Sequence, residues 1–310
     1  GSGKTETVSM LIDRILGLGV LGGEQEILVV TLVNSACDNL SRRANEATAG
    51  RTLMPGVGYR VRTLHALAAD IVSENPAAIG LSDGFRIADA EQCNQILRQV
   101  AIAWLRGNQH RCEWLLDQEL PQQRSAFVRR ERLPDLIEDL AGDFIRFAKG
   151  ERVLPHYLQE LVEHSNTTRQ DIGSNDGDDV SLAEIGASLY ADYQRSLSYR
   201  AAVDFDDLIW NAIELIERDE ELLARLRGRW PFILEDEAQD SSAVQEHILS
   251  LLAGESGNWV RVGDPNQAIF ETFTTASPKF LRDFLSSSTV VARELPNSGR
   301  SSPKIIALAN

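Results

Sequence analysis

The chain opens with Gly1-Ser2-Gly3-Lys4-Thr5, which matches the second half of the phosphate-loop pattern G-x-x-x-x-G-K-[ST]. Backbone N–H groups of such a loop point at phosphate oxygens, and the following helix adds the positive end of its dipole. We expect Lys4 to reach the β- and γ-phosphates of a nucleotide and Thr5 to offer its hydroxyl to Mg²⁺. Alone, Gly-Lys-Thr also occurs by chance. The pattern's first glycine would precede residue 1, so we expect the parent protein to extend further at its N-terminus.

A second motif lies in residues 232–240, which read Phe-Ile-Leu-Glu-Asp-Glu-Ala-Gln-Asp. A buried strand here would deliver Asp236 and Glu237 to the C-terminal edge of a sheet, where α/β proteins bind ligands. At that edge Asp236 can hold Mg²⁺, and Glu237 can orient and deprotonate an attacking water. An acidic turn after a strand is the simpler alternative. The string Asp-Glu-Ala-Gln-Asp in a chain with a phosphate loop favours the nucleotide site.

A third motif, Val262-Gly263-Asp264-Pro265-Asn266-Gln267, again places polar side chains directly after an apolar run. Gln267 is neutral and both donates and accepts hydrogen bonds, so it can sense a γ-phosphate and the groups beyond it. Standing alone, the segment would be a simple Asp-Pro turn. After two matching motifs, the sensing role is the better interpretation.

Hydrophobic patterning predicts an α/β fold with a parallel sheet, because short β-rich runs alternate with helical periodicity. The runs are 27–31, 60–64, 232–235, 259–262 and 289–292, and the clearest helical segments between them are 6–16 and 243–252. From about 70 to 200, helical periodicity dominates, for example over 90–105, 134–147 and 182–197. The polar, acidic segment 166–179 predicts a mobile loop.

The distance between the first two motifs predicts an inserted domain. From position 4 to position 236 is 232 residues, more than a compact phosphate-loop lobe needs. We therefore expect residues 1–70 and 201–310 to form one ATP-binding lobe, interrupted by a mostly helical domain at 71–200.

Composition limits the partners and the compartment. The net charge is −15, from 46 acidic and 31 basic residues, so nucleic acid would have to bind through a local groove. No apolar run approaches the roughly 18 residues that a membrane span needs, so no membrane partner is expected. The three cysteines are isolated, which disfavours a disulfide framework or a zinc ribbon and indicates a reducing, cytoplasmic setting.

Together, these motifs resemble the UvrD/Rep family of superfamily 1 DNA helicases. Six blocks follow the family's order: GSGKT (1–5), TLVNSA (31–36), RTLHALA (62–68), DFDDLI (204–209), ILEDEAQD (233–240) and VGDPNQAIF (262–270). A weaker seventh block is NSGRS (297–301). The resemblance implies a RecA-like phosphate-loop lobe with a helical insert. It also implies that the parent protein is an ATP-dependent DNA helicase that moves 3′-to-5′ on single-stranded DNA.

The resemblance also implies roles for individual residues. Gly1 to Thr5 would bind ATP, Thr5 and Asp236 would hold Mg²⁺, and Glu237 would be the general base. Gln267 would couple the γ-phosphate to DNA, and Arg300 would reach the γ-phosphate from the lobe junction.

Other matching positions point to DNA. Asn34, Thr63 and His65 match positions near single-stranded DNA in the family, although His65 is as well explained as a structural helix cap. Phe270 or Phe273 could stack on a base, and a core position is an equal alternative for each. Asp204 is more simply explained as the N-cap of a helix.

The sequence departs from the family in three places. The adenine-stacking tyrosine is absent from residues 297–301, the usual Phe and Lys are absent from 31–35, and the usual Arg-Gly-Ala does not follow Phe270. The chain also stops where the family continues into a second RecA-like lobe. The expected partners are therefore that second lobe of the same parent chain and single-stranded DNA or a single/double-strand junction. A non-catalytic nucleotide- or DNA-binding module and another type of phosphate-loop ATPase remain alternatives.

Overall fold

The computed structural model of the protein describes residues 3–51, 56–115, 121–171, 181–255, 257–267 and 277–295. The chain forms two compact units, residues 1–75 with 211–310, and residues 76–210. We call the first the α/β lobe and the second the helical unit. The boundaries expected from the sequence, at 70 and 200, lie slightly before those of the compact units.

The described strands form two parallel sheets. The α/β lobe has a four-stranded sheet in the order β2-β1-β5-β6, and β3 pairs with β4 in a separate two-stranded sheet. The strands are β1 (Ile27–Thr31), β2 (Tyr59–Thr63), β3 (Arg86–Ile87), β4 (Ala202–Val203), β5 (Phe232–Asp236) and β6 (Asn258–Val262).

Helices make up most of the rest of the described chain. They are α1 (Lys4–Leu18), α2 (Asn34–Thr48), α3 (Leu64–Val72), α4 (Ala90–Asn108), α5 (Gln122–Phe127), α6 (Leu133–Gly150), α7 (Pro155–Asp171), α8 (Leu182–Tyr199), α9 (Phe205–Arg218), α10 (Glu220–Arg229), α11 (Ala243–Ala253) and α12 (Lys279–Ser286). Within the described ranges, none of them is both long enough and apolar enough to cross a membrane.

The central sheet is covered on both faces, which explains its apolar strands. Ile27 and Val29 of β1 lie in one core with residues of α1 and α2, while Leu28 and Val30 on the opposite face are also fully buried. Strands that are buried on both sides lose the alternation of half-exposed strands and become nearly continuous Val/Ile/Leu runs. The predicted α/β class with a parallel sheet is confirmed.

Two local predictions are wrong. Residues 289–292 form no strand, and Val291 is 73% exposed, because β-rich composition does not make a strand without a neighbouring strand to pair with. The predicted loop 166–179 begins too early, since α7 continues to Asp171. Residues 172–180 lie outside the described part of the chain. The sequence also gave no indication of β3 and β4, which are too short to show a period.

The helical unit has its own core, built by α4, α6 and α8. Asp89 and Ser181 start α4 and α8 with capping boxes, in which Gln92 and Glu184 return a side-chain hydrogen bond to the cap backbone. These caps fix the start of two of the helices that periodicity predicts.

A buried lysine lies beside this core. Lys149 Nζ is 2.5 Å from Asp204 Oδ2 and 2.7 Å from Asp207 Oδ1, and the Tyr193 hydroxyl also donates to Asp204. Asp204 Oδ1 accepts from the Asp207 N–H at 3.0 Å, so the predicted N-cap of α9 is confirmed. Burial alone would lower the pKa of Lys149, but the two carboxylates outweigh burial and raise it, so the amine is charged.

We expect Lys149→Met to destabilise the helical unit by about 3–5 kcal/mol, because it leaves the buried carboxylate of Asp204 and the partly buried carboxylate of Asp207 without their cation. Urea unfolding of the chain, followed by circular dichroism, measures the change. Arg146→Met on the same helix is the matched control, since Arg146 pairs only with exposed Asp143 in the described contacts and should change the stability by less than about 0.5 kcal/mol. Equal stability of the two variants would contradict this account of Lys149.

Candidate active site

The motifs meet at one edge of the central sheet. β1, β2, β5 and β6 run parallel, so their last residues all lie at the carboxyl edge, where open α/β sheets bind ligands. β5 ends at Asp236, and the next residue is Glu237.

The start of α1 is suited to bind an anion. Gly3, with a φ of 83°, has the left-handed conformation that glycine adopts without strain, and it supplies no side-chain cap to the helix. The first N–H groups of α1 therefore keep the positive end of the helix dipole available to an anion. Gly1 and Ser2 lie outside the described residues.

Two polar contacts join α1 to the end of β5. Lys4 Nζ donates to Glu237 Oε2 at 2.6 Å, and Thr5 Oγ1 donates to Asp236 Oδ2 at 3.4 Å. The structure thus brings together four of the residues that the motifs single out. The pair Lys4 and Thr5 is more than 200 positions from the pair Asp236 and Glu237 in the sequence.

Asp236 and Thr5 provide a donor set that fits a hard divalent cation. Asp236 is buried, and its Oδ1 has no hydrogen-bond partner among the described residues. Burial, with a further contribution from neighbouring Glu237, raises the pKa of Asp236 from 3.8 to about 6, against the opposing effects of Lys4 and Thr5. A hydroxyl and a carboxylate oxygen that lacks a partner are ligands of the kind that Mg²⁺ prefers.

Glu237 has a strained backbone. Its φ of 54° and ψ of 41° are left-handed, which is unusual for a residue with a β-carbon. Such residues persist where the surrounding structure holds them, and they concentrate at functional sites. The Glu237 side chain is 39% exposed, so a water molecule can reach its carboxylate.

Gln239, for which the motifs predict no individual role, links the second motif to the third. Its Nε2 donates to Glu237 Oε2 at 2.9 Å, and its Oε1 accepts from the Asp264 N–H at 2.9 Å. A β-carbon at Gly263 would lie 2.8 Å from Gln239 Oε1, so this approach requires glycine. The only signal in the sequence was the amide inside Asp-Glu-Ala-Gln-Asp.

Gln267 is oriented by the turn that precedes it. Its Nε2 donates to Asp264 Oδ2 at 2.7 Å, and its backbone N–H donates to the Asp264 carbonyl at 2.9 Å. Gln267 is therefore connected to Glu237 through Asp264 and Gln239.

The candidate DNA residues follow two strands of the same sheet. Asn34 is the first residue of α2 and is exposed, and Thr63 ends β2. The Thr63 hydroxyl accepts from the Ala66 N–H at 3.2 Å, so Thr63 caps α3 and His65 lies within its first turn. The candidate residues Phe270, Phe273 and Arg300 lie outside the described residues.

Comparison with known proteins identifies the family. The protein-family model described as UvrD/REP helicase N-terminal domain matches residues 1–288 of the chain. The chain belongs to the UvrD/Rep helicase family. The resemblance given by the motifs is thereby confirmed.

Several relatives in this UvrD/Rep family match over the whole chain. The ATP-dependent DNA helicase UvrD2 of Mycobacterium tuberculosis H37Rv is 28% identical over 320 residues, which is 100% of this chain and 39% of the relative. The ATP-dependent DNA helicase Rep of Escherichia coli K12 is 26% identical over 315 residues, with the same two shares. UvrD1 of Mycobacterium leprae is 24% identical over 324 residues and is covered over 36% of its length. The chain thus spans about two fifths of these relatives.

We expect Asp236→Asn to stabilise the chain by about 1–2 kcal/mol at pH 7.5 in EDTA. The folded-state pKa lies above the unfolded-state pKa, so keeping this carboxylate ionised costs folding free energy above pH 6, and the cost disappears as the pH falls towards 4. Urea unfolding at both pH values measures the difference. Asp283→Asn, at an exposed position of α12, is the control and should change stability little at either pH. A destabilised Asp236→Asn variant at pH 7.5 would contradict this account.

Proposed function

We propose that this chain is the ATP-binding lobe of an ATP-dependent DNA helicase or translocase. In this proposal, Mg-ATP hydrolysis drives movement on single-stranded DNA, with the 3′-to-5′ direction that the family implies. The observation that carries the proposal is the meeting of Lys4 and Thr5 with Glu237 and Asp236, at 2.6 and 3.4 Å. Such a protein would work in the cytoplasm.

Each of these groups has a separate task in hydrolysis. The N–H groups at the start of α1 and the Lys4 amine would bind the phosphates. Polyphosphate oxygens would compete with Glu237 for Lys4, which would release the Glu237 carboxylate to accept a proton from the attacking water. Thr5 and Asp236 would hold Mg²⁺, which would neutralise charge on the β- and γ-phosphates.

The chain of contacts from Glu237 to Gln267 supports a coupling role. The Gln239 amide donates to Glu237 and accepts from the Asp264 N–H. A movement of the Glu237 carboxylate would therefore be transmitted to the turn at Asp264. Gln267 ends that turn, and the sequence then continues to Phe270 and Phe273, which are the proposed base-stacking residues. Arg300 would approach the γ-phosphate in the same way as the matching family arginine.

DNA binding in this proposal is local. Asn34, Thr63 and His65 lie at or just after the ends of β1 and β2, at the edge that also carries Asp236. Since the chain has a net charge of −15, phosphate contacts would be restricted to such a groove and would weaken as salt rises. The second RecA-like lobe is proposed as the other wall of the ATP cleft, because the relatives are more than twice as long as the matched region.

We expect Glu237→Gln in the full-length protein to lower ATP turnover by about 10²- to 10⁴-fold, because the general base is lost. ATP affinity should stay within a few fold, since Lys4, Thr5 and Asp236 remain. Steady-state hydrolysis with single-stranded DNA and equilibrium binding of a fluorescent ATP analogue give the two quantities. Glu255→Gln, at an exposed position after α11, is the matched control. Near-normal turnover by Glu237→Gln would remove Glu237 from this role.

We expect the 310-residue chain alone to hydrolyse ATP very slowly and not to unwind DNA. Phosphoryl transfer depends on positioning and charge stabilisation, and part of both would come from the second lobe. The test is ATP turnover at low salt with single-stranded DNA, with Lys4→Ala as the control that identifies the site responsible. Turnover of several per second that Lys4→Ala abolishes would contradict the two-lobe mechanism. Nucleotide and DNA binding without turnover in the full-length protein would favour a non-catalytic binding module.

A further inference from the structure

A buried ion pair lies directly behind the catalytic edge. Glu235 and Arg261 are register partners on β5 and β6, and both side chains are completely buried. Arg261 Nε is 2.8 Å from Glu235 Oε2, which is an ionic contact rather than an aligned hydrogen bond. Glu235 immediately precedes Asp236, so its side chain points to the opposite face of the sheet.

The two members of the pair have different surroundings. The Arg261 guanidinium lies 4.8 Å from the Trp259 ring centre and 5.1 Å from the Phe284 ring centre, and its Nη1 is 2.5 Å from Glu246 Oε2. Arg261 is thereby held in place by aromatic faces and a second carboxylate.

Glu235 uses its other oxygen to hold the loop that follows β5. Its Oε1 accepts hydrogen bonds from the Ser241 hydroxyl and from Gln245 Nε2, the latter at 2.7 Å. Gln245 Nε2 also lies 2.9 Å from Ser241 Oγ. Glu235, Ser241, Gln245 and Arg261 thus form one cluster, which we call the loop anchor.

Stability alone does not account for the loop anchor. Replacing a buried ion pair by apolar residues of similar size is often neutral or stabilising, because desolvation offsets the attraction between the charges. On the same face of the sheet, the flanking strand residues Val30, Ile233 and Trp259 are apolar, so apolar side chains would fit beside them. An apolar residue at position 235 could not accept the hydrogen bond from Ser241.

The segment held by the loop anchor carries Glu237. Between Glu235 and Ser241 the chain makes one tight turn, in which the Asp240 N–H donates to the Glu237 carbonyl at 3.0 Å. Glu237 has a left-handed backbone at the start of this turn, and such a conformation requires support from its surroundings. Gln239 fixes the turn through its hydrogen bond to Glu237. Ser241 fixes it on the opposite face of the sheet through its hydrogen bond to Glu235.

We propose that Glu235 and Ser241 are positioning residues for Glu237, and that Arg261 keeps the Glu235 carboxylate in its buried orientation. This inference rests on the proposed role of Glu237 as the general base. Through the loop anchor, the hydrogen bond that Glu235 accepts from Ser241 on the far face of the sheet sets the geometry of the base at the catalytic edge.

The test uses two variants of the full-length protein, Ser241→Ala and the double variant Glu235→Leu/Arg261→Leu. Both remove the hydrogen bond that holds the loop, and the double variant leaves no unpaired charge at positions 235 and 261. We expect kcat for ATP to fall about 10- to 100-fold, since a small misplacement of a catalytic group has effects of this size. KM and the affinity for a fluorescent ATP analogue should stay within about threefold, and Tm within about 5 °C.

Two further variants separate positioning from general structural damage. Glu246→Gln removes the charge of the second carboxylate that contacts Arg261. Glu246 does not touch the loop in the described contacts, so this variant should leave kcat unchanged. Glu235→Gln keeps an oxygen acceptor for Ser241 and should retain kcat within about threefold.

Several outcomes would overturn the inference. One is unchanged kcat in folded Ser241→Ala or in the folded double variant. Another is a loss of nucleotide affinity and Tm that parallels the loss of kcat. If the double variant does not fold, Ser241→Ala decides the question alone. An inactive Glu237→Gln beside a fully active Ser241→Ala contradicts only this inference, whereas an active Glu237→Gln contradicts the proposed function itself.

Discussion

The parallel pairing of β1 with β5 is the constraint on which the candidate site depends. Its register, from Ile27 opposite Phe232 to Val30 opposite Glu235, joins strands that the whole helical unit separates in sequence. α1 packs against the same core, where Val8 and Ile12 lie with Leu234. The first turn of α1 is therefore held beside the end of β5, and the contacts of Lys4 and Thr5 follow from this packing.

The site concentrates features that are unfavourable for stability. Asp236 is buried with a raised pKa, and Glu237 has a left-handed backbone. A well-packed apolar sheet around them can offset such local costs, and natural proteins depart from local folding rules chiefly at functional sites. The loop between β5 and α11 is accordingly held from two sides, by Gln239 towards the active site and by Ser241 towards the core.

Most of the fold was predictable because its signals are local. The runs at 27–31 and 232–235 became β1 and β5, and the periodicity over 90–105 became α4. The failures share one cause, which is that pairing and packing are not local. The run at 289–292 has β-rich composition but forms no strand, and β3 and β4 exist only because residues far apart in the sequence pair with each other.

The sequence by itself determined which side chains make up the candidate site: a lysine, a threonine and two adjacent carboxylates, each in a recognisable motif. The tertiary structure decided how these groups are held. Lys4 donates a hydrogen bond to Glu237, and Gln239 links the loop to Asp264. Thr63 caps α3, and Glu235 lies opposite Arg261 in the sheet. Motifs record which side chains a reaction needs, and they are contiguous in the sequence. The supporting contacts depend on strand order and register, which are settled only when distant segments pack together.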